Sequence, residues 1–209
     1  MTLTPLRDLL NRMTVKEVIT HSDRSVAWLA YREAEQLADE GMVDEIDALV
    51  RVSKSKRERG AAYFVLGCIG SNTGTARATS VLLARASVES DKYVLHQLLA
   101  SLAKLSLTMD LSLEPVYSLL KDERWVVRHA ALGALHGALS PDAEEHILEL
   151  LAGTTDPYDR IHAHATLNRM GTPRAIPLIS VALVSRKRDV KLSAEAAIQS
   201  IRSRHGIAP

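Results

Sequence analysis

The sequence is poor in several things at once. Among 209 residues it has one cysteine, one phenylalanine, two tryptophans and five tyrosines, so aromatics make up only 4%. A lone Cys68 has no partner for an internal disulfide, and the N-terminal MTLTPLRDLLNRMTVKEV carries charges where a secretory leader needs an apolar run. Both features lead us to expect a cytoplasmic protein. The longest apolar stretch, Ala61 to Gly70, is interrupted by Gly67 and is about half the length of a membrane span. The formal net charge is +1, which excludes a global electrostatic pull toward nucleic acid or anionic lipid. Alternating strand patterns are also missing.

What remains is aliphatic. Apolar residues make up 46% of the chain, mostly Ala, Leu, Val and Ile, a balance that suits close helix packing and needs no metal or cofactor to complete a core. The charge is patchy. Glu33 to Val50 contains seven acids and no base, Arg51 to Arg59 five bases and one acid, and Arg186 to Arg204 six bases and two acids.

An internal period organises the chain. RGAAYFVLG from Arg59, RHAALGALH from Arg128, RIHAHATLN from Arg160 and KLSAEAAIQ from Lys191 each place Ala three positions after the base and a branched apolar residue seven positions after it. LHQLLASLA from Leu95 is a copy with leucine in the basic position, and SVAWLAYREA from Ser25 is a weaker one. Between these segments, Pro115, His146 and Pro177 recur every 31 residues, each ahead of an apolar run. Two helix types, A and B, therefore alternate, with Gly, Pro, Ser and Asp at the joints. A helical pair of this size cannot bury its apolar stripe alone, so neighbouring pairs must stack. The expected fold is an all-α, right-handed α-solenoid of five or six helical pairs in a single domain over residues 1–209. Residues 1–50 are read as a degenerate repeat or cap and 51–204 as the clearer repeats. Pro177 and Pro115 are expected inside A helices, each removing one hydrogen bond and bending its helix.

GTPRAIPLI and DERWVVRHAALGAL resemble HEAT repeats, in particular the short type also found in phycobilisome lyase subunits. That resemblance implies an armadillo-like superhelix acting as a binding scaffold. It also implies a ladder of Asp and Arg along successive B helices. Arg59, Arg128, Arg160 and Lys191 stand at the basic position of that ladder, with Asp122 as the clear acidic member.

At about 100° per residue, the helix face opposite the core falls one, five and eight positions after the base. This face includes Gly60, Phe64 and Gly67, then His96, then His129, Gly133 and His136, then Asn168. It carries no fixed charge. It reads either as small residues that let B helices approach closely, or as a shallow groove for a partner helix or extended segment, with Phe64, His96, Trp125, His129, His136 and Asn168 as contacts. By its alignment with Tyr93 and Tyr158 at the starts of B helices, Trp125 has repeat-to-repeat packing as its default role.

Chemistry is hard to find. His162 and His164 are two apart and diverge by about 200° on a helix, unlike the three- or four-residue spacing of helical metal ligands, and there is no His-Glu dipeptide of the HEAT-type di-iron enzymes. No nucleophile and base arrangement, phosphate loop or cofactor site is legible. The reading is a non-enzymatic adaptor, chaperone or inhibitor with a protein partner, without metal and off the membrane. The competing class is nucleic-acid binding through the basic Arg51–Arg59 edge or the Arg186–Arg204 end. That class includes a role like the HEAT-like DNA glycosylases, for which Trp125, Asp122 and Arg128 would be the residues to test.

Overall fold

The computed structural model describes residues 4–17 and 24–208. Twelve α-helices and no strand are found among them: α1 Pro5–Thr14, α2 Val26–Ala34, α3 Met42–Val52, α4 Lys56–Thr73, α5 Ala76–Ala86, α6 Lys92–Leu102, α7 Glu114–Leu119, α8 Trp125–Ala134, α9 Pro141–Gly153, α10 Pro157–Met170, α11 Ile176–Ser180 and α12 Arg188–His205. None is long and apolar enough to cross a membrane. The odd-numbered helices are type A and the even-numbered ones type B, which makes six pairs.

Helix starts are set by local chemistry. Thr4, Ser25, Ser55, Asp91 and Asp156 each accept an amide N–H of the first turn of the helix they precede. Gly74 ends α4 and Gly206 ends α12, both with positive φ, a conformation that costs glycine nothing.

The chain forms two compact units, Met1–Leu105 and Ser106–Pro209. In the first, α4 is central: it packs against α6, α5, α3 and α1. In the second, α10 holds the same place among α12, α8 and α9. The periodic positions explain why. Ala62, Leu66, Ala131, Leu135, Ala163, Leu167, Ala194 and Ile198 are all buried, so these four repeats turn the same stripe inward. Truncating a leucine such as Leu66 to alanine would cost about 2–5 kcal/mol.

The prolines act differently from the sequence expectation. Pro177 is the second residue of α11, and Pro115 the second of α7, so neither lies in a helix interior. The last A segment is a succession of short pieces, a 3₁₀ turn Pro173–Ala175, α11, and a second 3₁₀ turn Val181–Val184. Ile176 N–H bonds back to the Pro173 carbonyl and closes the first turn before Pro177 is reached. The missing N–H of Pro177 therefore falls in a first turn, where no intrahelical partner is required. Pro5, Pro141 and Pro157 also stand in first turns, so proline here marks helix starts.

Candidate functional site

In the first unit, the face of α2, α4 and α6 encloses an open-sided groove of about 880 Å³. Tyr31 comes from α2, Gly60 from α4 and Tyr93 and Gln97 from α6, while Val15 lines it from the segment after α1. The two glycines of the face have opposite roles. A Cβ on Gly67 would lie 2.6 Å from Ser101 Cβ, so its absence lets α4 approach α6. A Cβ on Gly60 would meet nothing within 4 Å, so that position opens onto free space.

Phe64 is half-buried against Tyr31, edge to face at 4.9 Å between centroids, and Lys104 Nζ lies 4.5 Å from the Phe64 ring centre. His96 is exposed and does not line the groove, whereas Gln97 does.

The sequence expectation of a face without charge is corrected here. Lys56, Arg57 and Lys92 line the groove from the first turns of α4 and α6. They sit two or three positions before the basic position of the repeat, on the same angular face as the residues one and five after it. The sequence carries this signal one turn upstream of the residues one, five and eight after the base.

The same upstream turn carries the exposed aromatics. Tyr93, Trp125 and Tyr158 are 68%, 61% and 65% exposed, so Trp125 does not serve as packing between repeats. In the second unit Trp125 lies 5.3 Å from His129, and His129 stacks on His162 at 4.0 Å with the rings 18° apart. Nε2 of His129 is 2.9 Å from Oδ1 of Asp159, a buried carboxylate that also accepts from Arg128 and from the Thr154 hydroxyl. Burial pushes the Asp159 carboxyl up, but these donors outweigh it and hold it below its ordinary value. His136 is half-buried in the 3₁₀ turn that follows α8, and burial together with the charge of Arg169 keeps its pKa low. Asn168 is half-buried, and its backbone carbonyl accepts from Arg204.

The basic positions form joints. Arg59, Arg128 and Arg160 each donate to the backbone carbonyl six residues earlier, on Ser53, Asp122 and Thr154. Two of them also reach an acid near the next B helix. Arg59 grips Glu89 through two bonds of 2.8 and 3.0 Å, and Arg128 takes Asp159 at 3.0 Å. Asp122 enters its joint through the carbonyl, because its carboxylate is taken by the side chain and N–H of Arg124. Lys191 makes no such link; it lies 3.9 Å from Glu195 on its own helix.

Other polar groups are internal. His164 is fully buried, with Nδ1 2.9 Å from the Ser193 hydroxyl. That hydroxyl donates to the Val190 carbonyl, so it accepts from a neutral His164. Among the described residues no three His, Cys, Asp or Glu side chains are grouped to hold a metal.

Residues 113–199 match the family model for HEAT repeats, so the resemblance read from DERWVVRHAALGAL holds over α7 to α12. No curated protein matches the sequence. Among solved structures, a designed armadillo repeat protein in complex with peptide (KR)4 is 15% identical, with a TM-score of 0.58 over 95% of this chain and 100% of its own. An engineered protein is 19% identical, with a TM-score of 0.56 over 96% of this chain and 98% of its own. A second designed armadillo repeat protein is 16% identical, with a TM-score of 0.53 over 94% and 99%. These likenesses show the fold, an all-α solenoid of helical pairs.

Proposed function

We propose that the chain is a non-enzymatic, cytoplasmic scaffold that takes a segment of a partner protein along the outward face of its B helices. The observation that carries this reading is the groove of the first unit. Its floor is built from Tyr31, Gly60 and Tyr93, and the space in front of Gly60 is filled by no side chain of the described chain. Armadillo and HEAT-type solenoids present such surfaces to peptides, and one designed armadillo neighbour was solved with a bound peptide.

Three further observations favour this reading over the alternatives. In the basic Arg51–Arg59 run, Arg51 pairs with Asp47, Lys56 with Asp91 and Arg59 with Glu89, which leaves few cations for a phosphate backbone. The His164–Ser193 contact has the residue types of a catalytic dyad but not the arrangement. His164 has no access to solvent and the Ser193 proton is committed to Val190. Burial also pushes the Cys68 thiol up, away from the thiolate form.

Selection of random displayed peptides on the immobilised full chain tests the proposal. Enriched peptides should lose most of their binding to Gly60→Trp, which fills the groove from an open position. Failure to enrich any peptide, or binding unchanged by Gly60→Trp, would refute it.

A further inference from the structure

Resting on that reading, we infer that the groove of the first unit receives an acidic, extended segment carrying an aliphatic side chain. The argument is one of committed and uncommitted charge. Four bases and two acids line the groove: Lys16, Lys56, Arg57 and Lys92 against Glu17 and Asp91. Both acids are already engaged. Asp91 lies 2.7 Å from Lys56 Nζ and accepts the N–H groups of Tyr93 and Val94, and Glu17 accepts the N–H of Ala27 at 3.1 Å. The bases left over are Lys16, Arg57 and Lys92, all exposed, and none has a carboxylate within 4.0 Å among the described residues. The lining charges without an ionic partner are therefore three bases against Glu17 alone, and the balance is positive.

The helices reinforce that sign. The first turns of α4 and α6 line the groove, and the N-terminal end of a helix carries partial positive charge. Between the bases the surface is apolar and aromatic. Val15 is 43% exposed and Tyr93 68% exposed, with Tyr31 half-buried beside them. Carboxylates of an incoming strand would meet Arg57 and Lys92, the former able to bind two oxygens at once. A leucine or similar side chain between the carboxylates would lie on Val15, Tyr31 and Tyr93. A basic segment would face a net like charge here, whereas a polynucleotide gains affinity with the number of phosphates it neutralises and would find only three unpaired bases in the groove.

Fluorescence anisotropy on the full-length chain tests this with labelled probes: an alternating glutamate-leucine peptide, its lysine-leucine counterpart, polyglutamate, and a short single-stranded DNA. The glutamate-leucine peptide should bind best and weaken as salt rises. It should lose about tenfold in affinity with Arg57→Glu and Lys92→Glu combined, the scale expected for two partly exposed ion pairs. Both sites are exposed, so unchanged circular dichroism and thermal midpoint should accompany that loss. Equal or tighter binding of the lysine-leucine peptide, of the DNA or of polyglutamate overturns the inference, as does binding indifferent to the double charge reversal. Displayed peptides that enrich and are displaced by Gly60→Trp, but carry no acidic bias, would sink the inference while leaving the scaffold reading intact.

Discussion

Acidification should weaken the second unit through His164, and the effect can be worked from its surroundings. The ring is fully buried; Nδ1 meets Ser193, while Nε2 is buried with no hydrogen-bond partner. Protonation would place a charge and an unsatisfied donor there. Burial, with a smaller contribution from the charge of Arg160, pushes the pKa down from 6.5 to about 4. A folded pKa below the unfolded one means that the unfolded chain binds the proton first. Stability is therefore full above the unfolded value and is lost as pH falls through 6.5 toward 4. Linkage gives a loss of about 2 kcal/mol by pH 5 and about 3 kcal/mol by pH 4.

His136 and His162 are displaced in the same direction, so the wild-type curve alone would not isolate His164. The measurement is urea denaturation of wild type and His164→Asn from pH 7.5 to pH 4. Asparagine keeps an N–H donor near the Nδ1 position but does not titrate, and the lost ring volume lowers stability at neutral pH. The gap between the two proteins should narrow on acidification by the 2–3 kcal/mol above. Parallel curves would refute the assignment of a buried, neutral, unpartnered imidazole. The depressed carboxylates Asp159 and Glu89 lower stability as pH falls toward and below their ordinary values of 3.8 and 4.5, but they do so in both proteins and cancel from the gap between them.

Two further predictions concern packing and the joint. Gly60→Ala should stabilise α4 by about 0.5–1 kcal/mol, since its Cβ meets open space in a helix interior. Gly67→Ala should instead cost about 1–3 kcal/mol, because its Cβ collides with Ser101. Thermal midpoints of the two variants should move in opposite directions, and a shared direction would contradict the close approach of α4 to α6. Asp159→Ala leaves Arg128 with only the Asp156 carboxylate, 3.9 Å away, and should cost about 3 kcal/mol, whereas Arg128→Met with Asp159→Leu should recover much of that loss. Denaturant titration of the two variants tests this, and a double variant as unstable as the single one would show that the pair does not act as a unit.

The repeat was legible because burial demands the same residue types at the same helical positions. Ala131 and Leu135 are buried for the same reason as Ala62 and Leu66, so the pattern survives where the rest of the sequence drifts. The joints were only half legible. The three arginines recur in one column, but the acids they meet do not. Glu89 lies six residues before Leu95, in the column of Ser53, Asp122 and Thr154, whereas Asp159 lies one before Arg160. A long guanidinium can reach either place, so alignment finds the base and not its partner. Asp122 misled in the complementary way: it occupies the expected column but is claimed by Arg124, two residues on.

The face shows what a helical wheel leaves out when it is started at the wrong residue. Counting forward from the basic position gives glycines, alanines and histidines. Counting one turn back on the same face gives Lys56, Arg57, Lys92, Tyr93, Trp125 and Tyr158. Solvent selects these long side chains there because core packing has released its hold on the first turn. Small residues in mid-helix let α4 and α6 close together at Gly67 and Ser101, while the first turns carry the residues large enough to reach across the groove. The sign of the groove follows from which of those first-turn charges found partners within the chain. Among the described residues Lys56 found a carboxylate, whereas Arg57 did not and Lys92 has only the Tyr93 ring, 5.0 Å from its Nζ. That sorting depends on distances between helices some 35 residues apart in sequence, and no window along the chain contains it.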